Sequence, residues 1–438
     1  MTSTLAPTIR ASDVIRFWVP LCATWLMMSI EGPILTSLVA RLPHPDFNLA
    51  AYGVAVSVAM FIESPVIMLL STSVALATDR RAFERLRIFM WRINMLVTAG
   101  MVVVCIPSIY DVLAHVVLDL PAPVADRMYW GLVCMIPWPA AIGYRRFYQG
   151  LLIRSGLTRR VAWGTVMRLL TMAGAGLGMA AMGTVEGIVV GALGLSTGVV
   201  FEALATRSMA AGVVQKLRSQ ADSDCAEAPS YRSILSFYTP LALTSVIGFV
   251  VTPMIAFFLG RAPMSIESLA VLPIVDSFVF MFRSFGFSYQ EVGIALMGER
   301  NRNYPVVRSV GIGIMVATSL ALAIACFTPL SEIIFGQLYG LQPHLASFAV
   351  LPTQLLGPLP ALAVLYSLQR AVLINSRQNV VVTWSTIMEI ASIATVLVIV
   401  LATTSWPGAV AAALAMVVGR ILANGYLWVR TRQALGRG

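Results

Sequence analysis

The sequence predicts an all-α membrane protein of twelve transmembrane helices, arranged as two six-helix bundles related by a parallel internal repeat. Three observations carry this. Of the 438 residues, 58% are hydrophobic and 11% charged, with a mean hydropathy of +0.83, a balance soluble domains do not show. Apolar runs of about 18 residues or more recur, each able to span a ~30 Å hydrocarbon layer as a helix. They do not alternate as barrel strands would. Backbone groups in lipid must be paired within each span, so the spans are helical. The third observation is that the chain is written twice. Displaced by 220 residues, Arg16 to Leu76 falls on Ser236 to Leu296 without a gap. Phe17, Pro20, Pro33, Arg41 and Pro43 then meet Phe237, Pro240, Pro253, Arg261 and Pro263. Displaced by 221, Pro137, Pro139, Ser155, Trp163 and Gly198 meet Pro358, Pro360, Ser376, Trp384 and Gly419. Shared apolar composition would align Leu and Ala at many offsets, but not this many prolines.

The spans run at about 14–40, 48–76, 84–108, 125–149, 158–182 and 186–211, and again at 231–260, 266–296, 304–330, 345–372, 378–402 and 407–430. Arg10 and Arg16 precede the first, a full span with no A-x-A site at its end, which reads as an uncleaved signal anchor. A short interfacial helix is expected over Tyr110 to Leu120. Gln215 to Ser230 is the one long polar stretch, and its small and acidic residues read as a flexible bridge. The expected organisation is an N-terminal lobe 1–215, a cytoplasmic linker 216–230 and a C-terminal lobe 231–438. Six spans separate equivalent positions, so both halves enter the membrane from the same side. Parallel repeats of this kind typify transporters that bind substrate between lobes.

The loops alternate in charge. Arg80, Arg81, Arg85 and Arg87 follow the second span, and Arg154, Arg159 and Arg160 the fourth. Arg207, Lys216, Arg218 and Arg232 surround the linker. Arg300, Arg302 and Arg308 follow the eighth span, Arg370 and Arg377 the tenth, and Arg430, Arg432 and Arg437 end the chain. The opposite loops carry Arg41, Arg127 and Arg261 beside Asp46, Asp111, Asp119, Asp126, Glu186 and Glu332. Lysine and arginine gather on the cytoplasmic side. Both termini are therefore expected there, in a plasma or inner membrane. The net charge of +10 is then an orientation signal, and no nucleic-acid partner is expected.

Enzyme chemistry finds no foothold. His44, His115 and His344 sit in external loops without a metal or triad partner. The five cysteines lack metal spacing. The only lysine, Lys216, stands in Gln215-Lys216-Leu217, which is no phosphate loop. No cofactor and no metal are expected.

The candidate functional residues are charges that do not belong in lipid: Glu31, Glu63, Arg92, Arg168, Glu202, Asp276, Arg283, Glu291, Glu389 and Arg420. The repeat sets Glu63 opposite Arg283 and Arg168 opposite Glu389. If equivalent residues approach across a pseudo-twofold axis, each pair neutralises itself, as a structural lock or as a gate that opens when substrate competes. Glu31 precedes Gly32-Pro33, where proline frees a carbonyl and kinks the helix, and with Glu63 it is the expected proton or sodium coupling site. Asp276 and Arg283, seven apart, share a helix face, with Phe280 and Tyr289 on or near it, as a cavity wall would. Arg145, Arg146, Tyr148 and Gln149 crowd the end of the fourth span, where an anion arriving from the cytoplasm would meet them. With Asp276 and Arg283 they are the expected substrate contacts.

Several motifs then carry a resemblance. They are Ile15-Arg16-Phe17-Trp18-Val19-Pro20-Leu21, Glu31, Leu49-Ala50-Ala51-Tyr52-Gly53-Val54-Ala55, Ser64-Pro65, Asp79-Arg80-Arg81, Gln149-Gly150-Leu151-Leu152-Ile153 and Leu235-Ser236-Phe237-Tyr238-Thr239-Pro240-Leu241-Ala242. The chain resembles the progressive ankylosis protein family, within the superfamily of multidrug and toxic compound extrusion (MATE) transporters, lipid flippases and polysaccharide exporters. The resemblance is firmest in spans one, two, four and seven. It implies a MATE-like fold and export of organic anions such as citrate, or release of nucleotide and pyrophosphate. The expectation is a secondary transporter, a monomer, exporting a small organic anion or polyanion by alternating access. The alternatives are a proton- or sodium-coupled exporter of cationic drugs using Glu31 and Glu63, and a non-transporting membrane scaffold or channel.

Overall fold

The computed structural model describes residues 9–221, 229–298, 301–376 and 378–436. Part of the expected linker (222–228, with Cys225) lies outside the described residues, as do Arg300, Arg377 and Arg437. Among the described residues twelve helical segments reach membrane length. They are α1 (Ala11–Val39), α2 (Pro45–Leu76), α3 (Arg80–Val104), α4 (Ala122–Cys134 and Trp138–Arg154), α5 (Thr158–Ala181), α6 (Gly187–Met209), α7 (Tyr231–Gly260), α8 (Ser265–Leu296), α9 (Tyr304–Phe327), α10 (Pro343–Asn375), α11 (Asn379–Thr403) and α12 (Gly408–Leu435). Ten of them are long and apolar enough to cross a membrane by composition; the other two, α4 and α5, carry Arg145, Arg146, Arg154, Arg159, Arg160 and Arg168. The chain is an integral membrane protein.

Local chemistry sets the ends. The third helix starts four residues before its expected edge because Asp79 caps it, its Oδ1 accepting from the Ala82 N–H at 3.0 Å. The interfacial helix comes as a turn at Pro107–Asp111 followed by a π-helical turn at Val112–Val117. In the C-terminal half a π-helical turn at Ile333–Leu338 sits 221 residues later. The repeat is visible elsewhere in the backbone. His44 and Met264, 220 apart, are both left-handed (φ 54° and 53°) immediately before a helix. Both α4 and α10 break after Cys134 and Leu355, resuming behind Pro137 and Pro358. Proline lacks the N–H that would continue the ladder there. The first helix turns at Ile30, between Ala11–Ser29 and Glu31–Val39, at the Gly32-Pro33 pair the sequence marked. Part of the linker is ordered, as a helix at Ala211–Arg218.

Packing groups the chain into two units, Met1–Pro33 with Ala262–Gly438, and Ile34–Arg261. The lobes read from the repeat, 1–215 and 231–438, describe homology. The packing units differ from them because the first helix of each half lies among helices of the other. In the first unit α1 packs on α8, where the Trp18 indole N–H donates to Ser288 Oγ at 2.8 Å. In the second, α7 packs on α2, where the Tyr238 hydroxyl donates to the Pro65 carbonyl at 2.8 Å and its ring meets Phe89 edge-on. The chain passes from one unit to the other at Pro33 and at Arg261, and the described linker residues 216–221 and 229–230 lie within the second unit.

Within the second unit the two ends differ in charge. At one, Arg154 Nη1 donates to the Val74 carbonyl at 2.7 Å, and Gln220 accepts from the Arg80 N–H at 3.0 Å. At the other, Arg261 pairs with Asp119 at 3.8 Å and donates to the carbonyls of Val116 and Val117. The charge rule makes the basic end the expected cytoplasmic one. In a chain whose native cysteines are replaced, single cysteines at Arg41, Arg127 and Arg261 should react with an impermeant thiol reagent from outside intact cells. Cysteines at Arg80 and Arg302 should react only after permeabilisation. Reaction from the wrong side at either set overturns the orientation.

Candidate functional site

The second unit buries a charge cluster among α2, α4, α5 and α6. Its centre is Glu202 on α6, fully buried at 0% exposure. Arg145 Nη1 donates to Oε2 of this carboxylate in a short bond, Gln149 Nε2 donates to Oε1 at 3.1 Å, and Arg168 Nε lies 3.5 Å from Oε2. Arg145 and Gln149 are four apart on α4, hence on one face; Arg168 comes from α5. A buried carboxylate is tolerated only when paired and hydrogen-bonded, and three side chains do this here. Gly164 on α5 lies against Glu202 and Thr206, so α5 approaches α6 closely at this point. Arg146 is partly exposed and interacts electrostatically with Arg145, Arg168, Glu202 and Glu63. Glu63 is 4% exposed at the last α-helical residue before the 3₁₀ turn Ser64–Met68, in the field of Arg145, Arg146 and Arg168. Its Oε2 has no hydrogen-bond partner among the described residues. Tyr148 sits beside the cluster, with Arg207 over its ring at 5.2 Å and Tyr144 packed against it.

The first unit holds a second, partly exposed cluster among α8, α10, α11 and α12. Arg420 on α12 pairs with Glu389 on α11 at 2.9 Å, and its guanidinium stacks on Tyr366 at 4.5 Å. Arg370 lies over the same ring at 5.3 Å. On α8, Arg283 donates to Asp276 at 3.0 Å and stacks on Phe287 and Phe280 at 5.5 and 6.0 Å. The shared helix face inferred from their spacing brings Asp276 and Arg283 together. Arg283 also feels Arg420 and Glu389. Gln369 is buried with neither its Nε2 nor its Oε1 hydrogen-bonded among the described residues. Tyr289 is buried elsewhere, its hydroxyl donating to the Val307 carbonyl at 2.5 Å. Glu31 opens the second segment of α1; the neighbouring Gly32 lies against Ser277, next to Asp276.

The two clusters are related by the repeat with their polarity exchanged. Position 168 is arginine and position 389, its equivalent, is glutamate. Each finds its opposite on the last helix of its half, Glu202 and Arg420. Arg420 is equivalent to Val199, one helical turn from Glu202 on α6. Of the residues expected in pairs across the lobes, Arg168, Arg283 and Glu389 have ion-pair partners within their own units, and Glu63 lies in the field of Arg145, Arg146 and Arg168. Glu202 and Arg420 were legible only as misplaced charges; the sign exchange at 168 and 389 was the signal pointing to them.

Removing Glu202 should leave two buried guanidinium groups uncompensated. Glu202→Gln is expected to cost about 3–5 kcal/mol, read as a lower melting temperature of the detergent-purified protein. The pair Arg168→Gln with Glu202→Gln should cost less than the sum of its parts. Glu389→Gln should be milder, since Arg420 keeps its aromatic face. Additivity at 168 and 202 would overturn the pairing.

No protein-family model and no curated protein matches the sequence. Solved structures match in fold. An inward-facing multidrug resistance transporter of the MATE family, in the MOP superfamily, aligns over 95% of this chain and 98% of its own, with a TM-score of 0.73 at 13% identity. A MOP superfamily transporter from Pyrococcus furiosus, described by a binding pocket of reverse polarity that suggests a different function, aligns over 97% and 96%, at 0.71 and 15% identity. The lipid II flippase MurJ in an inward closed conformation aligns over 96% and 87%, at 0.70 and 13% identity. At these identities the likeness establishes architecture: the chain has the MATE-like fold of twelve helices with an internal repeat.

Proposed function

We propose that this chain is a secondary active transporter that exports a small organic anion or polyanion by alternating access between two lobes. One observation carries the substrate sign. Each cluster, the first buried and the second partly exposed, holds three arginines against two carboxylates: Arg145, Arg146 and Arg168 with Glu63 and Glu202, and Arg283, Arg370 and Arg420 with Asp276 and Glu389. Three minus two leaves one positive charge in each. A buried cation without its own carboxylate is costly, and a substrate anion is a counter-charge that offsets it. The solved structures of like fold are transporters, and one of them departs in pocket polarity. The resemblance to the progressive ankylosis protein family narrows the anion to a citrate-, nucleotide- or pyrophosphate-like compound.

In this reading Arg146 and Arg283 meet the substrate, Tyr148 and Gln149 flank it, and Arg145 and Asp276 hold the arginines in place. Glu63 and Glu31 take the coupling proton or sodium ion. The unpartnered Oε2 of Glu63 also favours the second reading, a cation-coupled exporter of cationic drugs. Uptake into proteoliposomes separates them: citrate and ATP against a cationic dye, with and without a proton or sodium gradient. Dye transport without anion transport reverses the ranking, and gradient-independent, non-saturable flux of any of them points to a channel.

Three variants sharpen this. Arg146→Gln should lower anion transport by about tenfold or more, the worth of a charge-assisted hydrogen bond, with little change in melting temperature; unchanged transport removes Arg146 from the substrate site. A gating role for Glu63 with Arg283, and for Arg168 with Glu389, belongs to the same proposal, the charges exchanging their resting partners during the cycle. Glu63→Gln and Arg283→Gln should then be strongly non-additive in transport rate and nearly additive in stability. Additive rates remove the gate.

A further inference from the structure

The second unit carries a cavity of about 530 Å³ at its basic end. Its lining brings together Arg154, from the end of α4, Arg160, from the start of α5, and Lys216, from the helix Ala211–Arg218, with Thr78, Ser155 and Gln220 between them. Among the described residues no carboxylate lines it. The carboxylate adjoining Thr78 is Asp79, already engaged: it is buried, accepts from the Thr78 hydroxyl at 2.9 Å and caps α3 at Ala82. Among the described residues neither Arg154, Arg160 nor Lys216 has an ion-pair partner.

Helix capping explains only part of this. Arg154 Nη1 reaches the Val74 carbonyl at 2.7 Å, and Arg160 Nη1 reaches the Met209 carbonyl at 2.6 Å. A guanidinium has five N–H donors, so most remain. Among the described residues the Lys216 side chain caps nothing, and Lys216 is the one lysine in the sequence. The repeat supplies a control. Asn375 stands where Arg154 would, and Val381 where Arg160 would. There Asn375 Nδ2 donates to the Gly298 carbonyl at 2.8 Å and to Asn301 Oδ1 at 3.0 Å, closing the corner with neutral groups. Among the described residues, the two positions equivalent to Arg154 and Arg160 carry no cation at this corner. Positive-inside orientation accounts for basic loops, but not for three cations converging on one cavity.

We propose that this cavity binds a phosphate group bearing net negative charge, from an anionic phospholipid headgroup of the adjoining leaflet or from a soluble phosphate. It is separate from the two charge clusters and does not depend on what the protein transports. Basic pockets between membrane helices on the cytoplasmic side recognise such groups by charge, at a size suited to small ligands.

The test uses the full chain in neutral detergent, with thermal stabilisation titrated by dihexanoyl phosphatidylglycerol, dihexanoyl phosphatidylcholine and inorganic phosphate. Saturable stabilisation by phosphatidylglycerol over phosphatidylcholine is expected, and Lys216→Gln should weaken it about fivefold, the effect of one basic residue at a membrane surface. Arg154→Gln and Arg160→Gln should do the same where they fold; Lys216→Gln, which breaks no side-chain hydrogen bond, keeps the test decisive. Phosphatidylglycerol active with phosphate inert identifies a lipid site, and phosphate active alone identifies a soluble ligand. Phosphatidylcholine equal to phosphatidylglycerol with phosphate inert, or a Lys216→Gln protein with unchanged affinity for the active probe, overturns the proposal.

Discussion

A carboxylate with no exposure, in a helix that crosses lipid, must be neutralised by its immediate neighbours, and Glu202 imposes that condition on everything around it. Desolvating one ion costs several kcal/mol (roughly), recovered only when the remaining lone pairs are also satisfied. Here Oε2 takes two arginines and Oε1 takes the Gln149 amide. That demand fixes the composition of α4 and α5. Both must carry arginines at membrane depth, and both therefore fall below the apolarity of the other ten spans. Their hydropathy deficit is the trace of a buried acid on α6.

The duplicated architecture shows how such a network is inherited. Duplication copies helices, breaks and turns, as the paired π-turns at 112–117 and 333–338 record. It does not constrain the sign of a buried charge, only that the local sum be acceptable. Arginine at 168 and glutamate at 389 are tolerated because position 202 is acidic and position 420 basic. The C-terminal version relies on aromatic faces as well: Tyr366, at the position equivalent to Arg145, supplies π-density to Arg420 and Arg370. A cation can share its field with a ring, whereas Glu202 needs donors. The N-terminal cluster is accordingly the more tightly buried of the two.

Most of the fold was legible in the sequence, for reasons that can be stated. Twelve spans follow from apolar length, the repeat from aligned prolines, and the kink at Ile30 from Gly32-Pro33. The breaks before Pro137 and Pro358 were hidden because apolar residues continue through them, and hydropathy cannot distinguish one span from two segments in line. The grouping of α1 with the C-terminal helices was hidden for another reason: homology relates positions by descent, and packing relates them by surface. Trp18 matches Tyr238 neighbourhoods by descent but meets Ser288 and Phe285 by contact. The same distinction separates equivalent charges from partnered ones. Glu63 and Arg283 share a register, yet each lies among opposite charges drawn from helices of its own unit. Most of the candidate residues, chosen as charges misplaced in lipid, do assemble into the two clusters; Glu31, Glu291 and Arg92, which stacks on Tyr231 at 4.8 Å, lie outside them.

The energetics also divide the arginines by role. Taking Arg145 from Glu202 to bind a substrate would strand a buried carboxylate, at a cost of about 3–5 kcal/mol for a broken buried pair. A substrate contact offers less than that from a single charge-assisted hydrogen bond, about 1.5–3 kcal/mol. Arg145 is therefore held in its pair while a ligand comes and goes. Arg146, next to it on α4, keeps partial exposure and has an Nε without a partner among the described residues. A ligand reaching Arg146 displaces water and leaves the Glu202 network intact. Two adjacent arginines on one helix thus do different work, one locking three helices around an acid, the other left as the odd charge of the cluster. On the proposed reading, the odd charge in the field of Glu63 would attract an anion more strongly when Glu63 is neutralised by a proton or cation, and this would couple the two binding events within one unit.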